Sequence, residues 1–177
     1  MDVREVGAEA THDLRRRVLR QGHPEAEVRF DGDDAPGSFH LAVVDQEGRP
    51  LAVATAVPAP TPRRPGRRAW RLRGMAVEPA LQGRGLGSRL LEAVVARAEA
   101  GGAEVVWAAG RDSALDFYRG RGWSVEGEGY LDAGDLPHHT VVLDLAQGRA
   151  RSVSGDGPQG RAGSPPRRPD PSGHQQP

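Results

Sequence analysis

Between an apolar stretch, Trp70 to Val77, and a helix-forming run that starts near Leu86 stands Gln82-Gly83-Arg84-Gly85-Leu86-Gly87, and no other segment restricts the fold so closely. Three glycines at alternate positions let the backbone turn tightly and bring bare N–H groups to a helix start, where the dipole favours an anion. That is the outline of a phosphate cradle at a strand-to-helix junction. One or two glycines would suffice for a turn, so a bare connection accounts for the run less well. A Walker loop is excluded, since it ends in Gly-Lys-Ser/Thr and this chain has no Lys. A dinucleotide fingerprint begins correctly with Gly83-x-Gly85, and Glu104 lies about twenty residues on. Ser88, however, takes the sixth position, where Gly or Ala belongs, and a turn at 78–82 separates the glycines from the strand.

The flanking pattern predicts an α/β domain. A short strand at Val3 to Val6 leads into a helix from about Ala8 to Arg20, with Ala10, Leu14 and Val18 at four-residue spacing and Arg15, Arg16, Arg17 and Arg20 mostly on its wet side. Phe39 to Asp45 and Leu51 to Val57 read as a hairpin around Gly48 and Pro50, and Pro58 to Arg68 as a loop. After the Trp70 to Val77 strand comes a turn, Glu78 to Leu81. A helix follows with Leu86, Leu90, Leu91, Val94, Val95 and Ala98 in one stripe, stopped by Gly101 and Gly102. Glu104 to Ala109 reads as a strand, Ser113 to Arg121 as a short helix, and Trp123 to Glu126 with His139 to Leu145 as the last strands. Strands alternating with helices after a hairpin imply a mixed sheet.

Composition removes several classes of function. The 24 basic residues, all Arg, balance 24 acidic ones, which leaves no strongly basic field for nucleic acid. Without Cys there is no disulfide framework, thiolate nucleophile or zinc ribbon. The longest nearly unbroken apolar stretch, Leu51 to Val57, is far below a membrane span, and the Met1 to Asp13 start lacks a signal peptide's apolar core, so a cytoplasmic protein is expected. From Gln147 the chain holds six Gly, six Pro, four Ser and five Arg with Val153 as its only large aliphatic residue. Residues 147–177 are therefore read as a disordered tail behind a domain of residues 1–146.

Two motifs in order resemble the GNAT superfamily of acyl-CoA-dependent N-acyltransferases. The first runs Leu72-Arg73-Gly74-Met75-Ala76-Val77-Glu78-Pro79, then Gln82-x-x-Gly85-x-Gly87 and Leu90-Leu91; the second is Ala114-x-x-Phe117-Tyr118-x-x-x-Gly122-Trp123. The motifs cover residues 70–123, and the element order fits as far as about 145. The resemblance implies a mostly antiparallel mixed sheet flanked by helices, with acetyl-CoA in a cleft between two splayed parallel strands, the one ending at Val77 and the one from Glu104 to Ala109. Its pantetheine would pair with backbone near Met75, Ala76 and Val77. Its pyrophosphate would sit on amides from Gly83 through Arg84, Gly85, Leu86 and Gly87 to Ser88, with the Arg84 charge suited to phosphate. The resemblance also makes Tyr118 the acid that protonates the departing CoA thiolate. The family often has Asn three residues before the Ala of the second motif, where this chain has Arg111, so a side-chain contact there to the pantetheine arm is replaced by a charge able to approach a phosphate.

Direct acyl transfer to an amine needs the neutral amine, and for a lysine-like acceptor deprotonation at pH 7 costs about 4.6 kcal/mol. Candidates for the base are Glu78, at the end of the cofactor strand, and His138 or His139. Neighbouring strand residues point to opposite faces, so only one of that pair can face a site, and the pair is a poor metal clamp. No metal is expected, and no Gly-x-Ser-x-Gly elbow supports a serine hydrolase. The acceptor hints conflict. Glu25, Glu27, Asp31, Asp33 and Asp34 against Arg29 would form an acidic rim for a cationic amine, whereas Arg71 and Arg73 share a strand face suited to a carboxylate. The reading is an N-acetyltransferase acting on a small-molecule or protein amine in a ternary complex. A non-catalytic acyl-CoA-binding module is the alternative, a dinucleotide-binding oxidoreductase stands third, and a homodimer is left open.

Overall fold

The computed structural model describes residues 1–22, 27–132 and 135–145. Seven strands form one sheet: β1 (Asp2–Val6), β2 (Phe39–Val44), β3 (Pro50–Pro58), β4 (Ala69–Val77), β5 (Val105–Arg111), β6 (Ser124–Asp132) and β7 (Leu136–Asp144), in the order β1-β2-β3-β4-β5-β7-β6. The helices are α1 (Glu9–Leu19), α2 (Leu86–Ala100) and α3 (Leu115–Arg119), with single 3₁₀ turns at Pro79–Leu81 and Asp112–Ala114. Only β4 and β5 pair in parallel; β1-β2, β2-β3, β3-β4, β5-β7 and β6-β7 are antiparallel.

The predicted stripe on α2 is what seats it on the sheet. Leu86, Leu90, Leu91, Val94 and Ala98 are buried, against Leu41, Val43, Ala54, Ala56 and Leu72. Each such Leu or Val contributes about 1.5–3 kcal/mol by leaving water. The opposite face takes α1, where Leu14 packs with Ala42, Val44, Val53 and Ala76. Helices on both faces bury β2 completely, which explains why it reads as six buried residues in a row rather than an alternation.

A local irregularity in β4 opens the site. The β4-β5 register runs only from Ala69↔Val105 to Leu72↔Ala108. Between the Thr55↔Arg73 and Val53↔Ala76 pairs, Ala54 of β3 faces both Gly74 and Met75, a bulge with Gly74 at φ +60°. A Cβ on Gly74 would lie 2.8 Å from Arg15 Nε and 2.9 Å from Phe30 Cε2. Meanwhile β5 remains paired with β7 as far as Arg111↔His138. One strand turns away, the other continues, and the two form a fork.

Three expectations need correction. Arg15, placed on the wet side of α1, is fully buried. It follows Leu14 and shares the inward face with Thr11 and Val18, and Asp33 supplies the counter-charge at 2.6 Å that burial demands. The helix predicted over 113–121 is shorter, a 3₁₀ turn followed by α3. The last two strands are longer than read, because β6 passes through Gly127 and Gly129 by a register shift between Glu126 and Tyr130, and glycines in a strand hide its period. The loop before β4 is tied to β6 and β7 by Arg64, which pairs with Glu126 at 2.8 Å and Asp144 at 2.6 Å. The Arg64 guanidinium holds both carboxyls below their ordinary range.

The reading of 147–177 as a tail lies outside the described residues. Its lack of core-forming side chains predicts that a chain ending at Ala146 melts within about 3 °C of the full one by scanning calorimetry. A larger fall would show that the segment docks on the domain.

Candidate active site

The fork holds a cavity of about 1010 Å³. Of the residues singled out in the sequence, Met75, Ala76, Val77, Gln82, Gly83, Gly85, Gly87, Ser88 and Tyr118 line it, and Glu78, Arg84 and Leu86 do not. Leu86 is buried in the core at the start of α2, Arg84 is exposed on the loop, and the Glu78 carboxylate accepts from Arg17 at 2.6 Å.

Two sets of backbone groups face this space. On β4, everything beyond Leu72 lacks a partner strand on the β5 side, so Arg73–Val77 present an open sheet edge that an extended amide chain can join. Gln82 donates its side-chain amide to the Val77 carbonyl at 3.2 Å, which fixes the end of that edge to the glycine loop. At the loop, Gly83 and Gly85 take φ of +74° and +82°, conformations that disfavour any side chain, and a Cβ on either would meet nothing within 4 Å. The space before them is open. Since α2 starts at Leu86, the N–H groups of Leu86, Gly87 and Ser88 have no partner within the helix and carry the positive end of its dipole. Free backbone donors at a helix start are the chemistry that suits an anion.

Arg121, which sequence reasoning missed, stands beside it. Its guanidinium lies 4.1 Å over the Phe117 ring, donates to the Phe117 carbonyl at 2.8 Å and bonds Ser88 Oγ in the first turn of α2. Its Nε is buried without a partner among the described residues. The one sequence clue was its spacing of four from Phe117.

Tyr118 is buried between Phe117 and Trp123, with ring centroids 5.3 Å and 5.2 Å away. Gly110 of β5 makes this seat possible, as a Cβ there would lie 3.2 Å from Tyr118 Cε2. Burial pushes the phenol up to about 12, so it keeps its proton throughout the working pH range. On the neighbouring strand the two histidines diverge as alternation requires. His139 engages Asp112 at 2.7 Å, whereas His138 lines the cavity. A carbonyl oxygen can only accept, so the His138 Nδ1 that lies 2.8 Å from the Leu136 carbonyl carries a proton, and in the neutral imidazole Nε2 then holds the lone pair. No cluster of three or more His, Asp or Glu able to hold a metal occurs among the described residues.

Of the acids expected as a rim on the 21–37 loop, Asp31 is exposed and three others have partners. Asp33 is buried on Arg15, Asp34 pairs with Arg29 at 2.7 Å, and Glu27 accepts from the Arg29 amide at 2.6 Å. Glu25 lies outside the described residues. From this loop, Phe30 lines the cavity and none of these carboxylates does.

Comparison with known proteins agrees with this geometry. Residues 8–123 match the model of the "Acetyltransferase (GNAT) family". An uncharacterized N-acetyltransferase of Bacillus subtilis, YitI, is 29% identical over 142 residues, covering 80% of this chain and 94% of the relative. Among solved structures, an acyl-CoA N-acyltransferase from Pseudomonas aeruginosa superposes with a TM-score of 0.65 at 22% identity, covering 80% of this chain and 97% of its own. An aminoglycoside 6'-N-acetyltransferase complexed with coenzyme A gives 0.64 at 15% identity, over 81% of this chain and 97% of its own. The shared fold is the seven-stranded mixed sheet with its one parallel pair flanked by helices. The chain therefore belongs to the GNAT family of acetyltransferases and is an acyltransferase enzyme.

Proposed function

We propose that this enzyme moves the acetyl group of acetyl-CoA to a primary amine by direct attack in a ternary complex. The observation that carries the reading is that one cavity joins the open β4 edge, the free backbone donors at the start of α2 and the Tyr118 side chain. The pantetheine arm extends β4 at Met75–Val77, and the pyrophosphate rests on the amides of Gly83–Ser88, with Arg121 adding charge from the cavity wall and Arg84 only from the exposed loop outside it. That places the thioester near the fork. The amine nitrogen attacks the thioester carbonyl carbon, the C–S bond breaks, and the amine proton must leave as the thiolate gains one.

We assign the proton's departure to His138 ahead of Glu78, because His138 faces the cavity with its Nε2 lone pair while Arg17 holds the Glu78 carboxylate. Tyr118 serves the thiolate. Against a free thiol at about 8.5, complete transfer from a phenol at about 12 is uphill by roughly 5 kcal/mol, so Tyr118 acts chiefly by donating a hydrogen bond as the thiolate forms. Tyr118→Phe should therefore lower turnover on the order of 10²-fold while acetyl-CoA affinity changes less than about twofold. Wild-type turnover should show no Tyr118-dependent decline below pH 11, and such a decline would show that full proton transfer is required. His138→Gln should lose on the order of 10²-fold near pH 7 and recover as pH rises and the amine deprotonates in solution, whereas Glu78→Gln should stay within about threefold. The reverse ranking would move the base to Glu78.

The test of the reading itself is release of free CoA thiol from acetyl-CoA with a panel of primary amines. Amine-dependent release with matching N-acetyl product supports it. Tight acetyl-CoA binding with no release for any amine would leave a binding module, and saturable binding of NAD(H) in place of acetyl-CoA would leave an oxidoreductase.

A further inference from the structure

We propose that the acceptor is an amine that also carries a carboxylate, held by Arg71 and Arg73 where β4 borders the fork. This rests on the acetyltransferase reading for the reaction but on separate observations for the substrate. Arg71 and Arg73 are two apart on a strand, so they share a face, and Leu72 between them packs into the core under α2. Both arginines thus lie on the α1 side of the sheet, opposite the cradle, and both line the cavity. With the pyrophosphate on one face and the thioester at the fork, the α1 side is where an acceptor can approach.

What marks the pair is that, among the described residues, no carboxylate forms a salt bridge with either arginine, and Asp33 and Asp31 act on Arg73 only from a distance. Fourteen ion pairs occur among the described residues and neither arginine takes part in one. Each is held in place by other means. Arg71 lies 5.0 Å over the Trp107 ring and Arg73 lies 4.8 Å over Phe30, with one N–H of Arg73 on the Asp31 carbonyl at 2.7 Å. The Arg71 Nε is buried with no partner among the described residues. Burial and the charge of Arg71 hold the Arg73 guanidinium below the ordinary arginine value, a repulsion that a bound anion would relieve. Two preordered, partly desolvated guanidinium forks match the planar, bidentate geometry of a carboxylate. The same field repels polycationic amines, and of the loop acids that could have attracted them Asp33 and Asp34 are paired with Arg15 and Arg29.

The experiment compares kcat/KM for α-amino acids with their carboxamides, and adds spermidine and O-phosphoethanolamine to the amine panel. In parallel, each amine is titrated calorimetrically into the CoA-loaded protein. The carboxylate form should be preferred on the order of 10²-fold in kcat/KM, and Arg71→Gln or Arg73→Gln should each reduce the preference at least tenfold, with Arg→Lys restoring part of it. Acetylation that favours the carboxamides, spermidine or O-phosphoethanolamine overturns the carboxylate while leaving the acetyltransferase intact. If no amine is acetylated, carboxylate binding that is lost in the Gln variants sustains the assignment and only the reaction fails. Absence of such binding together with absence of turnover overturns the assignment.

Discussion

Replacing Arg15 with Met should destabilise the protein by about 3–5 kcal/mol, the range for removing one partner of a buried ion pair. The Arg15 guanidinium is fully buried, bonds Asp33 at 2.6 Å and the Val28 carbonyl at 2.8 Å, and donates to Thr55 Oγ1, which also lies 2.6 Å from His40 Nδ1. Phe30 lies flat beneath it, with the guanidinium carbon 4.4 Å from the ring centroid. Met keeps most of the volume but leaves the Asp33 carboxylate in the interior with the Phe30 amide at 2.9 Å as its remaining close donor. For a domain of this size the melting temperature should fall on the order of 10 °C.

The pH dependence carries the sign of the effect. In the wild type, burial raises the Asp33 carboxyl, but the Arg15 bond and charge together with the Phe30 amide and His40 outweigh it, so its value lies below the ordinary one. That contribution is present above the ordinary carboxylate pKa of about 3.9 and is lost as pH falls through the lower folded value. In Arg15→Met the unpaired carboxyl moves upward instead, so the gap between variant and wild type should be widest near neutrality and narrow as acid protonates Asp33. Chemical denaturation at several pH values measures this. A gap that does not change with pH would mean that Arg15 acts by packing alone.

This network also orders the α1 side of the cavity, because the same Phe30 carries Arg73 and the same Arg15 fills the space that Gly74 leaves open at the bulge. None of it was legible from charge patterning, in which five acids and one Arg in a loop read as a solvated rim. Position on the helix held the information: Thr11, Leu14 and Arg15 are three and four apart, a spacing that turns all of them inward, and the charge of Arg15 concealed it. By contrast the order of elements along the chain, the α2 stripe and the glycine turn ahead of α2 were readable, since each depends on local residue type and short spacing. The fork was not readable from spacing, because it depends on where β4 stops pairing, a register property set by the Gly74 bulge. Arg121 and the inward turn of His138 escaped for a similar reason, being fixed by contacts with α2 and with the end of β5.

The account stands on acetyl-CoA lying across the backbone of the glycine loop, and Gly85 addresses this most directly. Its φ of +82° costs a β-branched residue about 1–3 kcal/mol, and a side chain there would enter open space at a loop that lines the cavity. The decisive measurement is a calorimetric titration of acetyl-CoA into wild type and Gly85→Val, with scanning calorimetry of both apo proteins to establish that the variant is folded. The predicted result is an affinity at least about 10²-fold weaker in a folded variant, since the pyrophosphate loses its approach to several N–H groups at once. A folded Gly85→Val protein that binds acetyl-CoA as tightly as the wild type would contradict the account and place the cofactor elsewhere.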